Sequence, residues 1–261
     1  MVILIATIDN ENVEKLIETM NLSNVDTIVI NQNRSGRKYS ELIKNGRSTI
    51  LQSNRLGLSA SRNDAISLAK DSDICQIADD DLVFVDQYER IVEKAYREFP
   101  DADIIIFGMD FQNHAIPKKE IAKGRIGYLA SMKVVSFQIS FKKSSLSKKG
   151  ITFDERFGIG AKYGSGEENI LLFDALRNGL KIYSYPEKIA TLISRPSQWD
   201  RSNSPEVCKK RGAIYKRMSP HWYWIIIIQF AIRKRKMMPN EISILDNIKY
   251  MFEGATKFIN K

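Results

Sequence analysis

Cysteine and histidine are scarce in this sequence, and that scarcity argues against a disulfide framework and against a zinc site built from histidines. Among 261 residues the only cysteines are Cys75 and Cys208, and the only histidines are His114 and His221. Two cysteines cannot form a disulfide framework, which favours a reducing cytoplasm as the setting. The two histidines cannot build a typical structural zinc site on their own. Any catalytic metal is therefore expected to bind oxygen ligands.

Long linkers and apolar runs of membrane length are also absent. No stretch rich in Pro, Ser or Gly interrupts the chain, and 43% hydrophobic with 27% charged residues is an ordinary globular composition. The apolar start reaches Asp9 and Asn10 too early for a secretion signal. We therefore expect one α/β domain followed by a C-terminal extension.

The charge is positive and concentrated in two segments. The net charge is +9, and residues 118–149 and 206–236 each contain nine Lys or Arg and a single Glu. Such basic segments attract polyanions, which include nucleic acids, anionic membranes and diphosphates. A solvated face of a soluble enzyme is the alternative interpretation of the first segment.

Strand and helix patterns alternate through the first 110 residues. Short β-branched runs predict strands at Val2–Ile8, Thr27–Ile30, Ile74–Ala78 and Asp103–Gly108. Helical spacing between them predicts a mostly parallel sheet covered by helices. Because ligands of such sheets bind beyond the carboxyl ends of the strands, the polar residues Asp9, Asn31 and Asp79 are expected at one crevice.

The third of these strands runs directly into the aspartates Asp79, Asp80 and Asp81. Side chains alternate along a strand, so Asp79 and Asp81 are predicted to point to the same side. Two carboxylates placed in this way suit Mg²⁺ or Mn²⁺, which bind few carboxylates together with the oxygens of a substrate diphosphate. The alternative is a solvated turn in which Asp81 caps a helix.

A glycine followed by a polar helix start, GLSASRNDAISLAK, lies upstream of the aspartates. Ser59 is expected to cap this helix, whose free backbone N–H groups would face an anion. Arg62 lies in the first turn, within reach of a phosphate. The alternative is a plain amphipathic helix with a polar start.

A glycine-rich segment, FDERFGIGAKYGSGEENILLFDAL, follows later in the chain. Its glycines indicate a closely approached loop, after which Glu167 and Glu168 begin an apolar helix. Either glutamate could take a proton from an acceptor hydroxyl as a general base. The alternative is that both simply complement the positive end of the helix dipole.

Together, in this order and spacing, these motifs resemble the inverting glycosyltransferases of family 2. The likeness extends over roughly residues 1–195. It implies the GT-A fold, a Rossmann-like mixed and mostly parallel α/β sheet flanked by helices, over residues 1–204. Residues 1–110 would form the nucleotide-sugar-binding half and residues 111–204 the acceptor-binding half. Residues 205–261 would be a helical, basic and apolar C-terminal extension.

The resemblance also implies roles in binding the donor. The first strand, ending in Thr-Ile-Asp, resembles the family's strand that contacts the nucleotide base, and GLSASRNDAI resembles its G-x-S-x-A/S-R-N-x-A/G-I helix. The second strand ends in amides where the family often has an acidic residue, so base and ribose recognition is expected to differ. The positions expected to bind the donor are Thr7, Asp9, Asn31, Gln32, Arg62, Asn63, Asp79 and Asp80.

Metal-binding and catalytic roles are implied in the same way. ICQIADDDLVF is similar to the family's apolar strand followed by D-x-D, which gives the metal role to Asp81 with Asp79 assisting. GSGEEN resembles the G-E-D element that supplies the catalytic base, with Glu168 at the matching position. Because Glu replaces the commoner Asp there, Glu167 and Glu168 both stay candidates for the base.

The reaction that the resemblance implies is transfer of a sugar from a nucleoside-diphosphate sugar to a saccharide hydroxyl, with inversion. A UDP-sugar is the expected donor, and manganese or magnesium (Mn²⁺ or Mg²⁺) the expected metal. The implied setting is assembly of capsule, exopolysaccharide or another cell-surface glycan by a cytoplasmic enzyme, with a lipid-linked saccharide among the acceptors. Trp199 and Tyr163 are candidate sugar platforms, with plain packing as the alternative.

The run Trp222–Ile232 is apolar at every position except Gln229, and four cations follow it. Eleven residues are too few to span a bilayer. Interfacial aromatic residues with flanking cations predict peripheral contact with the inner face of the cell membrane. Packing on the catalytic domain and packing against a second subunit of a homodimer are the alternatives.

Two other classes of protein fit part of the sequence. A nucleotidyltransferase or nuclease could use Asp79 and Asp81 in two-metal chemistry, and the positive charge would suit such an enzyme. The motif patterns of nucleotidyltransferases and nucleases do not include the S-R-N helix or the G-E-E loop. Aromatic residues also do not interleave with the basic segments, as they would in a surface that stacks bases. No nucleic-acid partner is therefore expected. The other class is a catalytically inactive protein that binds a sugar nucleotide. The intact Asp79, Asp81 and Glu168 argue against that interpretation.

Overall fold

A single sheet forms the centre of the protein. The computed structural model describes residues 1–34, 41–112, 121–193, 204–234 and 243–258. Within these ranges the sheet has ten strands. They are β1 Val2–Ile8, β2 Thr27–Gln32, β3 Glu41–Asn45, β4 Ser48–Ser53, β5 Ile74–Asp79, β6 Leu82–Phe84, β7 Ile104–Phe111, β8 Gly124–Ile126, β9 Ile139–Lys142 and β10 Ile182–Leu192.

The sheet is mixed, and most of its strands run in one direction. Its order is β3-β4-β2-β1-β5-β9-β7-β10-β6, with β8 paired to β10. Strand β1 pairs in parallel with β2 and β5, β2 with β4, and β7 with β10. Strand β9 is inserted antiparallel between β5 and β7, and β3, β6 and β8 also run antiparallel to their neighbours. The mixed, mostly parallel sheet predicted from the sequence is therefore confirmed.

Helices flank this sheet and make up the C-terminal part of the chain. Those within the described ranges are α1 Val13–Thr19, α2 Leu58–Leu68, α3 Tyr88–Glu98, α4 Tyr128–Ser131, α5 Lys143–Lys149, α6 Glu167–Arg177, α7 Pro205–Met218, α8 Tyr223–Lys234 and α9 Ile244–Lys257. A short 3₁₀ turn, Ser136–Gln138, precedes β9. The helical C-terminal part predicted from the sequence is confirmed by α7, α8 and α9. Among the helices described, none is long and apolar enough to cross a membrane.

The two faces of the sheet bury separate apolar clusters because strand side chains alternate. Ile3 and Ile5 of β1 belong to the cluster that contains residues of α1 and α3. Val2 and Leu4 belong to the opposite cluster, with residues of α2 and α6. All four side chains are at most 5% exposed. This two-sided burial fixes β1 centrally and holds its carboxyl end in place.

The C-terminal helices form a third cluster that includes Ile170 and Phe173 of α6. Helices α7 and α9 pack closely where two glycines meet the opposite backbone. A Cβ on Gly212 would lie 1.8 Å from the carbonyl oxygen of Met251, and one on Gly254 would lie 1.9 Å from that of Lys209. Only glycine permits this approach of the two helices.

Candidate active site

The carboxyl ends of β1, β2 and β5 lie side by side. In the parallel register of β1 and β2, Thr7 is opposite Asn31. Thr7 Oγ1 donates a hydrogen bond of 2.7 Å to Asp80 Oδ2, and the backbone N–H of Asp9 donates one of 2.7 Å to the carbonyl oxygen of Gln32. The strand ends predicted to meet at one edge of the sheet therefore do so.

The two amides at the end of β2 hold neighbouring loops. Asn31 Oδ1 accepts from the backbone N–H of Asn10 at 3.0 Å, and Asn31 Nδ2 donates to the Asn10 carbonyl at 2.8 Å and to Gln52 Oε1 at 3.0 Å. Gln32 Nε2 donates to the carbonyl of Gly57 at 2.9 Å, next to the start of α2. Both amides are buried. Their expected contacts with the donor stay predictions.

Asp9 adopts an uncommon backbone conformation at the end of β1. Its φ is +49°, in the left-handed region that a non-glycine residue enters at a cost. Its Oδ1 accepts from the backbone N–H of Arg34 at 2.9 Å, and its side chain is 45% exposed. Asp9 is thus held in place while its carboxylate stays accessible to a ligand.

The aspartate triplet is divided between a strand end and a turn. Strand β5 ends at Asp79, and Asp80 and Asp81 form the turn that leads to β6. The prediction that strand alternation aligns Asp79 with Asp81 is therefore wrong, because the strand stops before Asp81. Asp79 Oδ1 accepts from Arg62, whereas Asp80 and Asp81 line a pocket of about 310 Å³ beside α1.

The oxygen ligands at this pocket fit a hard divalent cation that also binds a diphosphate. In the described part of the chain, no group of three or more His, Cys, Asp or Glu side chains could hold a metal ion. Mg²⁺ and Mn²⁺ need only one or two protein carboxylates when phosphate and water supply the other ligands. Half-buried Asp80 and Asp81 meet that need, and Asp79 has one oxygen engaged by Arg62. The metal roles of Asp81 and Asp79 stay predictions.

Arg62 is the centre of a buried ion cluster. Its side chain is 3% exposed, and its Nη1 donates to Glu167 Oε1 at 2.9 Å. Its Nη2 donates to Asp79 Oδ1 at 3.0 Å and to Ser136 Oγ at 2.8 Å. Arg62 therefore joins the end of β5 to the start of α6. Its expected contact with a donor phosphate stays a prediction.

The environments of Glu167 and Glu168 differ. Glu167 is 6% exposed and bonded to Arg62, whereas Glu168 is only half-buried. Desolvation of the Glu168 carboxylate raises its pKa to about 8, and the neighbouring Glu167 carboxylate adds to the rise. A carboxylate with a raised pKa is a stronger base near neutral pH. This difference separates two glutamates that the sequence leaves equivalent.

Helix α2 is tied to the glycine-rich loop by its polar side chains. It begins after Gly57, which has φ +115° and provides no side-chain cap. The prediction that Ser59 caps the helix is wrong, because Ser59 lies inside α2 and its Oγ donates to the carbonyl of Phe157 at 2.6 Å. Asn63 exchanges two hydrogen bonds with the Phe153 backbone, at 3.0 and 2.9 Å. The expected donor contact of Asn63 stays a prediction.

Sequence reasoning missed two components of the site. Ser136, in the 3₁₀ turn, accepts from Arg62. Arg55 Nη2 donates to both carboxylate oxygens of Glu155, at 2.8 and 2.9 Å, and its Nη1 contacts Asp64. Arg55 and Glu155 are 100 residues apart, so no local pattern links them. The loop between α5 and α6 is thus fixed to the segment that precedes α2.

Of the two candidate sugar platforms, Tyr163 packs against other aromatic rings of the protein. The ring of Tyr163 stacks on Phe157 at a centroid distance of 4.7 Å and meets Phe258 edge-on at 5.5 Å. These contacts favour the packing interpretation for Tyr163. Trp199 lies outside the described residues.

Cations of the first basic segment are engaged at the protein surface, and its residues 118–120 lie outside the described ranges. Lys123 Nζ lies 2.5 Å from Glu98 Oε1, and Lys143 Nζ lies 2.6 Å from Asp71 Oδ1. Such exposed pairs contribute little to stability. They favour the interpretation of this segment as a solvated face.

Comparison with solved structures shows that the chain shares its fold with S. aureus TarS, which agrees with the mixed, helix-flanked sheet expected from the sequence. No protein-family model and no curated protein matches the sequence. The chain is similar to S. aureus TarS residues 1–349 in complex with UDP-GlcNAc, with a TM-score of 0.62 and 15% identity over 92% of this chain and 74% of that one. The same fragment alone gives a TM-score of 0.63 at 12% identity, covering 98% and 82% of the two chains. A longer TarS structure gives 0.64 at 14% identity, and 46% of its length is covered.

Proposed function

We propose that this chain is a metal-dependent glycosyltransferase that moves a sugar from a UDP-sugar to a saccharide hydroxyl with inversion. Residues 1–110 would bind the nucleotide sugar and residues 111–204 the acceptor. Residues 205–261 would extend this catalytic part. The fold supports the class, since TarS, which shares it, was crystallised with UDP and with UDP-GlcNAc.

The observation that carries the proposal is the ion cluster around Arg62. It brings the end of β5, where Asp79 lies, to the start of α6, where Glu167 and Glu168 lie. Donor-binding and proton-accepting groups of a transferase must lie close together, because the attacking hydroxyl and the anomeric carbon react within one complex. Groups with shifted pKa values often lie at functional sites, and the raised pKa of Glu168 beside this cluster agrees with the proposal.

Glu168 is proposed as the general base. It would accept the proton of the acceptor hydroxyl as that oxygen attacks the anomeric carbon, and the bond to the diphosphate would break on the opposite side. One displacement of this kind inverts the anomeric configuration. Glu167, bonded to Arg62, would hold the start of α6 in position and supply negative charge that keeps Glu168 basic.

Asp81, with Asp79 assisting and Asp80 beside them, is proposed to hold Mn²⁺ or Mg²⁺. Bound there, the cation would act as a Lewis acid that compensates the charge of the departing nucleoside diphosphate. Thr7 already donates to Asp80 and so orients this turn. Asp9, Asn31, Gln32, Arg62 and Asn63 are the remaining candidates for donor contacts.

The acceptor is proposed to be a saccharide in a cell-surface glycan such as capsule or exopolysaccharide, with a cytoplasmic location for the enzyme. This part of the proposal rests on the resemblance of the motifs. A lipid-linked acceptor would agree with the C-terminal surface described below.

The test is donor hydrolysis and transfer with UDP-, GDP- and dTDP-sugars, in Mn²⁺ or EDTA. We expect metal-dependent release of UDP by the wild type. Glu168→Gln should abolish turnover yet bind UDP normally, and Asp81→Asn should weaken metal-dependent UDP binding. Glu187→Gln, at an exposed residue of β10, is the matched control and should behave as the wild type.

Two results would contradict the proposal. One is the absence of metal-dependent binding of any nucleotide in calorimetry. The other is salt-sensitive cleavage or extension of DNA or RNA that is lost in Asp81→Asn, which would assign the aspartates to nucleic-acid chemistry.

A further inference from the structure

Helix α8 has an apolar face that does not pack against the rest of the protein. Trp224, Ile225, Ile228 and Ile232 are 44%, 43%, 38% and 57% exposed, and Trp222 just before the helix is 62% exposed. Residues three, four and seven positions apart lie on the same side of a helix. These five residues, termed the α8 face, therefore form one continuous apolar surface.

The opposite side of α8 already supplies the contacts that hold the helix. Ile227 and Ala231 are 0% exposed and belong to the cluster formed with α7 and α9. Tyr223 contacts Phe252 of α9, with ring centroids 6.1 Å apart. The α8 face is thus not needed for packing within the described chain. A contiguous exposed apolar surface of this kind usually marks an interaction site.

The C-terminal segments that contain α7, α8 and α9 together carry a net positive charge. Within residues 204–234 and 243–258 there are nine Lys or Arg against three Asp or Glu. Arg233 is exposed next to Ile232 at the end of α8. The α8 face therefore combines apolar side chains and two tryptophans with an exposed arginine at its end, on a group of helices whose net charge is positive. This combination suits an anionic lipid surface.

We propose that the α8 face docks the protein on an anionic bilayer surface, with α8 lying along the membrane plane. Its twelve residues extend about 18 Å, well short of the hydrocarbon thickness. Trp222 and Trp224 would insert at the headgroup level, as interfacial tryptophans do. The isoleucines would enter the acyl boundary, and Arg233 would face lipid headgroups.

Charge favours a membrane over a second copy of the chain. A two-fold contact through the α8 face would place the same basic surface of both copies together. Their like charges would repel, whereas an anionic bilayer attracts both. The proposal does not rest on the glycosyltransferase assignment, because membrane binding can be measured without turnover.

The test is flotation of the full chain with vesicles of phosphatidylcholine alone or with about one third phosphatidylglycerol. We expect flotation with the anionic vesicles and weaker flotation at high salt. Trp224→Ser with Ile228→Ser should reduce binding at least about tenfold, because two large apolar side chains no longer insert. The matched control is Leu42→Ser with Ile43→Ser on the edge strand β3. These two side chains are exposed to about the same fraction as Trp224 and Ile228, and the control should float as the wild type does.

A second measurement keeps the proposal testable if the double variant does not fold. Trp224→Phe retains most of the apolar bulk and should lose part of the tryptophan quenching by brominated lipids. The proposal fails if the wild type does not float with anionic vesicles, or if the folded double variant floats equally well. It also fails if sedimentation shows a dimer that the double variant dissociates, since the α8 face would then bind a second copy.

Discussion

Burial makes Arg62 the shared partner of two carboxylates, and desolvation raises the pKa of Glu168 above the value usual for a glutamate. Arg62 carries one positive charge and is bonded to both Asp79 and Glu167. One guanidinium therefore serves two carboxylates, and its attraction does not offset the desolvation of Glu168, whose pKa stays raised. The cluster thus holds Glu168 as an acid that is mostly protonated at neutral pH and loses its proton near pH 8.

The first prediction at the residue scale concerns pH. Because the pKa of Glu168 is raised to about 8, the base is protonated and inactive below that value. The transfer rate should fall about tenfold for each pH unit below 8 and level off above it. The measurement is kcat/KM from acidic to alkaline pH, with UDP binding measured at each pH. A profile that stays level into the acidic range, with binding unchanged, would assign the base to another group.

The second residue-scale prediction concerns Arg62→Lys. An ammonium group cannot reproduce bonds to Glu167, Asp79 and Ser136 together, so buried groups would lose partners. Urea unfolding should show a loss of about 2 kcal/mol. The matched control is Arg55→Lys, because the side chain of Arg55 is 49% exposed and its ion pairs are solvated. The free energy of unfolding of Arg55→Lys should fall by less than about 1 kcal/mol. An equal fall in both variants would contradict the argument that burial makes the bonds of Arg62 more important to stability.

At the scale of elements, the sequence predicts the strands whose patterns are local. Strands β1, β2, β5 and β7 were expected because each is a β-branched apolar run between polar segments. The hairpin of β3 and β4 was missed, although Gly46, with φ +55°, marks its two-residue loop. The insertion of β9 between β5 and β7 was not predictable, since strand order depends on contacts distant in sequence.

The candidate site could be predicted as a set of residues but not as an arrangement. The sequence identified Arg62, Asp79 and Glu168, because their motifs are local. It could not show that Arg62 binds Asp79 and Glu167, because those bonds join residues 17 and 105 positions apart. The extension of β5 through Asp81 is mispredicted because the end of the strand is set by tertiary pairing rather than by local pattern.

A prediction at the element scale concerns the crossing of α7 and α9. In Gly212→Ala the added methyl would meet the Met251 carbonyl, so the helices must separate and lose packing. Thermal or urea unfolding should show a loss of about 2 kcal/mol or more. Gly127→Ala is the control, because a Cβ there has no atom within 4 Å and φ is not positive. An equal loss of stability in both variants would show that Gly212 is not required for the close crossing of α7 and α9.

At the scale of the whole molecule, the C-terminal helices are bonded through Arg217 to α6 and to the loop that precedes it. This α7 residue donates from Nε to Asp154 at 2.8 Å, and from Nη1 and Nη2 to both oxygens of Asp174 at 3.0 and 2.7 Å. Asp174 lies on α6, whose first turn holds Glu168. A Cβ on Gly166, just before α6, would lie 2.7 Å from Ile214 of α7. Helix α7 therefore braces α6, the helix that carries the proposed base.

The corresponding prediction concerns Arg217→Gln. Loss of the guanidinium leaves Asp154 and Asp174 with one charged partner fewer, so the free energy of unfolding should fall by about 3 kcal/mol. With α6 less firmly held, kcat should fall while UDP binding stays the same. Lys210→Gln, which removes an exposed pair with Glu206 on the same helix, should change neither quantity. A normal kcat in folded Arg217→Gln would confine α7 to a stabilising role.

The antiparallel insertion of β9 has a consequence for how the chain is made. Strands β5 and β7 both emerge from the ribosome before residue 112, but they do not pair with each other. Each must wait with an open edge until residues 139–142 arrive to bridge them. Open strand edges are sites of aggregation. The two halves of the sheet therefore join only after residues 139–142 have been made, and a chain released after residue 110 is expected to be prone to aggregation.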